Sequence, residues 1–91
     1  MCHRINFEIR LFAQAAQIAG TPKVLLPLES FQAEREQTTI QQISDGLCQM
    51  YPQLAELIDR SRWAVETEFV SHEQVVSAGQ RVALIPPVSG G

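Results

Sequence analysis

Val82-Ala83-Leu84-Ile85 is apolar at all four positions. A strand with one wet face alternates apolar and polar residues, whereas a strand covered on both faces does not. The tetrapeptide therefore marks a strand in the middle of a sheet. It is also the last element before Pro86-Pro87, so the final strand of the fold is central. Working outward from it, Ile5, Phe7, Ile9 and Leu11 alternate with Asn6, Glu8 and Arg10, the period of a half-buried strand. Val24, Leu26 and Leu28 alternate again. Pro27 has no N–H to give a neighbouring strand, which puts this second strand at a sheet edge. Between the two, Ala13 to Ala19 reads as a short turn of helix or loop, stopped by Gly20 where a positive φ suits glycine. A hairpin is the simplest connection.

Glu29 to Gln37 is polar and charged and reads as a surface loop. A helix then starts at Thr38-Thr39, with Thr39 and Gln42 spaced as a capping box. Ile40, Ile43, Leu47, Cys48 and Tyr51 form one helical stripe. Pro52 ends it, because the proline ring disfavours helical geometry in Tyr51. Leu54, Leu57 and Ile58 suggest one more short turn. Trp63 to Phe69 reads as a strand region with a break near Thr67, and Arg81 to Ile85 as the last strand after a turn at Ala78-Gly79. The order is ββαββ, with the last strand central beside the first and one main helix covering the sheet. That is an α+β fold of mixed sheet, the ubiquitin-like β-grasp. Residues 1–86 form the domain and residues 87–91 a flexible C-terminal tail.

Composition narrows the function. At 91 residues there is room for one core only. With 45% hydrophobic and 19% charged residues the chain folds. Its net charge of -3 and lack of a basic run argue against nucleic acid. The apolar runs are too short for a membrane span, and Met1 to Phe12 has no signal-peptide core, so a cytoplasmic location is expected. Cys2 and Cys48 are far apart in sequence and form no CxxC pair. His3 and His72 lack acidic or thiol partners at ligand spacing, so no metal site is expected.

The chain ends Ile85-Pro86-Pro87-Val88-Ser89-Gly90-Gly91. Two prolines stiffen the exit from the strand. Five residues from Pro87 reach at most about 17 Å when extended. Glycine has no Cβ to clash with the walls of a narrow pocket around the terminal carboxylate. A stiff exit and a side-chain-free tip make Gly91, with Gly90 behind it, the expected reacting end.

Four pieces carry a family resemblance: Leu11-Phe12-Ala13 with Gly20; Ala64-Val65 with Phe69-Val70-Ser71; Gly79 with Val82-Ala83; and the ending Ile85 to Gly91. On these the chain resembles the small subunits of molybdopterin synthases, sulfur carriers of the ubiquitin-like superfamily. It departs from the family's pattern at Glu66, where Asn is common. It departs also at Ala16, where Arg is common, and around the late glycine turn, where Ala78, Gln80 and Arg81 replace acidic residues.

The resemblance implies a reaction cycle. A ubiquitin-activator-like adenylyltransferase would use ATP to convert the Gly91 carboxylate to an acyl-adenylate, and a sulfur donor protein would replace AMP. The thiocarboxylate would then supply sulfur for the dithiolene of molybdopterin on the large, catalytic subunit. The chain would bind no cofactor and have no catalysis of its own, and two small and two large subunits would assemble. Phe12 and Ile85 are out of phase with the core positions of their strands, and Phe69 lies near the end of its own. The resemblance places large-subunit contacts at these three, and the tail Pro86, Pro87, Val88 and Ser89 would enter the partner. The other reading of Phe12, Phe69 and Ile85 is ordinary core. Two other functions share the chemistry up to activation: a carrier for thiamine synthesis or tRNA thiolation, and a ubiquitin-like protein modifier.

Overall fold

The computed structural model describes residues 3–30 and 37–87. Strand β1 (His3–Leu11) pairs antiparallel with β2 (Lys23–Ser30), and short helix α1 (Gln14–Ala19) lies in the connection. Gly20 closes that helix at φ 78°, its N–H bonded to the Ala16 carbonyl. The Leu11 N–H bonds the Pro22 carbonyl at 2.9 Å, so even-numbered β2 residues face β1 and odd-numbered ones face outward. Pro27 thus takes an outward position, where a missing N–H costs nothing, and β2 is an edge strand as expected.

The main sheet runs β2-β1-β7-β4-β5, where β4 is Arg62–Val65, β5 is Glu68–Val70 and β7 is Val82–Ile85. β7 lies parallel to β1 and antiparallel to β4, so the last strand is central, as its unbroken apolarity requires. Helix α2 (Ile40–Met50) covers one face. Its Ile40, Ile43 and Leu47 are fully buried in one cluster with Phe7, Ile9, Leu26, Trp63 and Leu84. Each such side chain contributes about 1.5–3 kcal/mol by leaving water. Cys48 and Tyr51 only flank the cluster.

The first N–H groups of α2 have no partner within the helix. Thr39 Oγ1 accepts from the Gln42 N–H at 3.3 Å, the carbonyls of Gln74 and His72 accept from Ile40 and Gln41, and the box is only half reciprocal. The Gln42 side chain instead accepts from the Thr38 hydroxyl at 2.6 Å. Pro52 opens a 3₁₀ turn (Pro52–Leu54), and α3 (Ala55–Arg60) follows.

The structure adds elements to the expected order. β3 (Gln37–Thr39) and β6 (Val75–Ser77) form a separate two-stranded sheet that buries Thr38 and Val76. β2 runs on to Ser30, so the polar stretch expected as loop from Glu29 is shorter at both ends. The break expected near Thr67 is a two-residue hairpin loop, Glu66-Thr67, between β4 and β5.

Glu66 has φ 59°. Asn adopts such angles more readily than Glu, which gives the departure from the family's Asn a physical meaning. The Glu66 N–H bonds the Arg81 carbonyl at 2.8 Å and fixes the turn to the foot of β7. A non-glycine residue at such an angle costs about 1–3 kcal/mol, and glycine returns about 0.5–1 as unfolded-state entropy. Glu66→Gly is therefore expected to stabilise by about 1 kcal/mol and raise Tm by about 4–8 °C in a melt. A lower Tm would mean that the 3.4 Å contact from the Arg81 N–H to Glu66 Oε1 outweighs the strain.

Candidate functional site

The register fixes which side chains share the face opposite α2. Arg10 lies beside Ala83, Ala83 beside Ala64, and Ala64 beside Phe69. One step toward the C-terminal end of β7, Ile85 lies beside Arg62. Phe12 follows Leu11, which is level with Leu84, so Phe12 comes level with Ile85 just beyond β1. Phe12 and Ile85 thus lie at the end of the sheet from which the tail leaves, and Phe69 lies one step back on the same face. Phe69 is 61% exposed and Phe12 46%, while Ile85 is half-buried between its neighbours. None of the three belongs to the core cluster. Exposure speaks against the core reading of Phe12 and Phe69, since about half of the one and more than half of the other stand in water.

Arg62 carries no signal in the sequence beyond being a charge at a strand start. In the fold its guanidinium carbon lies 5.4 Å from the centre of the Phe69 ring, a cation–π geometry. Arg62, Phe69, Trp63 and Ser71 line an open cleft of about 360 Å³ at this corner. Leu25, 57% exposed, stands on the same sheet face at the far edge. Lys23 and Glu8 pair there at 3.5 Å, both well exposed, a contact worth about 0.2–1 kcal/mol.

Of the tail, Pro86 is buried and Pro87 exposed. Val88, Ser89, Gly90 and Gly91 lie outside the described residues. The exit is nonetheless placed: β7 delivers Pro86 at the same end of the sheet as Phe12, Ile85 and Arg62.

Thiol chemistry has little support. Burial pushes the Cys48 thiol above its usual range, and the nearby Asp45 and Asp59 charges add to the rise. The reactive thiolate is therefore scarcer at neutral pH than for a free cysteine. Cys2 lies outside the described residues. Among the described residues no group of three His, Cys, Asp or Glu side chains could hold a metal, and no helix is long and apolar enough to cross a membrane.

Comparison with known proteins bears on the family and the fold. The family model described as the ThiS family matches residues 9–91. A molybdopterin synthase sulfur carrier subunit of Dictyostelium discoideum is 30% identical over 88 residues, covering 94% of this chain and 96% of the relative. Its Arabidopsis thaliana counterpart is 29% identical over 87 residues, covering 96% and 84%. Among solved structures, SAMP1 of Haloferax volcanii superposes with a TM-score of 0.75 at 26% identity, covering 94% of this chain and 99% of that one. Small archaeal modifier protein 1 of Methanosarcina acetivorans superposes with a TM-score of 0.73 at 21% identity, covering 98% and 99%, and shares the fold.

Proposed function

Because the chain belongs to the ThiS family, we propose that it is the sulfur-carrier subunit of a molybdopterin synthase, with Gly91 as the carrying residue. The observation that carries this reading is near full-length similarity to two sulfur carrier subunits of that enzyme, in a chain that ends on two glycines. The chemistry follows from the carboxylate. As an anion it is a poor electrophile. Attack on the α-phosphate of ATP, with pyrophosphate leaving, makes Gly91 an acyl-adenylate. A sulfide-level donor then adds to the carbonyl carbon, the bond to the AMP oxygen breaks, and a thiocarboxylate remains.

On the large subunit that group gives its sulfur to the pyranopterin precursor, and water restores the carboxylate. The chain contributes a reagent and its delivery, while orientation and charge stabilisation belong to the partner. Activation calls for an adenylyltransferase and a sulfur donor protein. ATP is consumed by the former and not held by this chain.

Intact mass tests the proposal. Incubation with the activating enzyme, ATP and a sulfur donor is expected to replace one C-terminal oxygen by sulfur. Addition of large subunit and precursor should return the original mass. Cys2→Ser with Cys48→Ser should load as well as the parent, because the sulfur rides on the carboxyl carbon. Failure of the double variant to load would move the chemistry to a cysteine.

One observation favours a second reading, a protein modifier: the likeness to SAMP1 of Haloferax volcanii, the small archaeal modifier protein. That reading replaces the thiocarboxylate by an isopeptide bond from Gly91 to a lysine. Lys23 is the only lysine of this chain, so self-conjugates through a lysine side chain would all carry one linkage. Gly91 remnants on lysines of other proteins, with no thiocarboxylate, would establish it.

A further inference from the structure

The open sheet face is not a plain apolar patch. Ala83 and Ile85 of the central strand have an arginine on each side, Arg10 on β1 and Arg62 on β4, both exposed. On the same face Lys23 and Glu8 offset each other through their ion pair. Among the described residues no carboxylate lies within ion-pair distance of Arg10 or Arg62. A chain of net charge -3 thus presents a locally positive face around the tail exit. Arg62 is moreover held in place: its guanidinium sits over the Phe69 ring, 5.4 Å from the centroid. Stacking orders a side chain that would otherwise lose rotamer freedom on binding, and leaves its N–H fork free for a planar acceptor.

We propose that Arg62 is a specificity-determining residue of the docking face, seated in the complex against a side-chain carboxylate that the large synthase subunit presents at the rim of the pocket receiving Phe69. The inference rests on the carrier reading above. Apolar contacts alone fix the area of contact but not rotation about it, and a threaded tail tolerates little rotation. A charged pair at one edge of the apolar cluster supplies that orientation. It also speeds encounter, because rim charges act chiefly on the association rate and its salt dependence. Arg10, across β7 from Arg62, adds to the same field from the other side.

The test measures association of the full chain with the large synthase subunit of the same organism by stopped flow, from about 20 to 500 mM salt. Four carriers are compared: the parent, Arg62→Gln, Arg62→Lys and Arg81→Gln. Arg81 precedes β7 and so lies at the end of the sheet opposite the tail exit, which makes it a control of equal charge change. The parent rate is expected to fall steeply with salt. Arg62→Gln should lower the low-salt rate about tenfold and flatten the slope, within the span of steered over unsteered association. Arg62→Lys should restore the slope, because charge returns without the fork, while dissociating faster than the parent. Arg81→Gln should behave as the parent. All four should stay folded, since Arg62 is exposed, with Arg62→Gln melting at most a few degrees lower through loss of the Phe69 stack. If the parent binds and Arg62→Gln shows the same rate and slope as Arg81→Gln, the role of Arg62 is overturned and the carrier reading stands. If the parent does not bind the large subunit at all, the carrier reading fails and the inference with it.

Discussion

Deleting Gly91 is expected to abolish sulfur transfer while leaving the melting temperature unchanged. The core ends before the tail begins: Leu84 is the last residue of the buried cluster, Ile85 ends β7, and Pro86 is the last buried residue described. Glycine has no side chain to bury, so stability should stay within experimental error. Activity is another matter. Removing one residue draws the carboxylate back by about 3.5 Å along an extended chain. Misplacement of a reacting group by about 1 Å already costs about a hundredfold in rate. The loss in the synthase assay should therefore exceed about a hundredfold. Adding one residue after Gly91 should do the same, because the reacting carbonyl then belongs to a residue with a different reach and a side chain to accommodate. Pyrophosphate exchange with the activating enzyme shows whether the defect arises at adenylation or later. A truncated carrier that still transfers sulfur at the parent rate would remove Gly91 from the chemistry.

Where the sequence is informative, it is because one local rule has a single solution. Four apolar residues in a row at Val82 to Ile85 need cover on both faces, and β7 has it between β1 and β4. Pro27 has only outward positions open to it in a strand, and takes one. Thr39 caps α2 because its hydroxyl reaches the Gln42 N–H. The remainder depends on partners distant in the chain. Gln37-Thr38-Thr39 becomes a strand only because Val75-Val76-Ser77 returns to it, and three polar residues carry no period of their own. The 62–70 region shows its break by composition, but not that Glu66 holds a positive φ. For the site, strand phase predicts that Phe12 and Ile85 point away from the core. Arg62 enters only through registers: Ile85 beside it on β7, and Phe69 one strand further on β5 within reach of its guanidinium. Nothing in a single sequence pairs those three residues.

Phe69→Ala is expected to weaken binding to the large subunit by about thirtyfold or more, the loss that follows when a central aromatic anchor worth about 2 kcal/mol is removed. The folded domain should hardly notice. Phe69 is 61% exposed on an edge strand, so truncation removes little buried area and, within the chain, chiefly the Arg62 stack, worth about 0.5–1 kcal/mol at an exposed site. Phe69→Asp should bind still more weakly, but for two reasons at once. It removes the ring, and it sets a carboxylate beside Arg62 that takes up the charge meant for the partner. Alanine separates these effects. With the guanidinium intact, Phe69→Ala should keep most of the parent's salt-dependent association rate and lose affinity through faster dissociation. Arg62→Gln should do the reverse. Apolar burial holds the complex once formed, while the rim charge brings it together. Titration calorimetry with a melt of each variant decides. An alanine variant that binds as tightly as the parent would move the docking surface away from this face. One that melts many degrees lower would return Phe69 to the core.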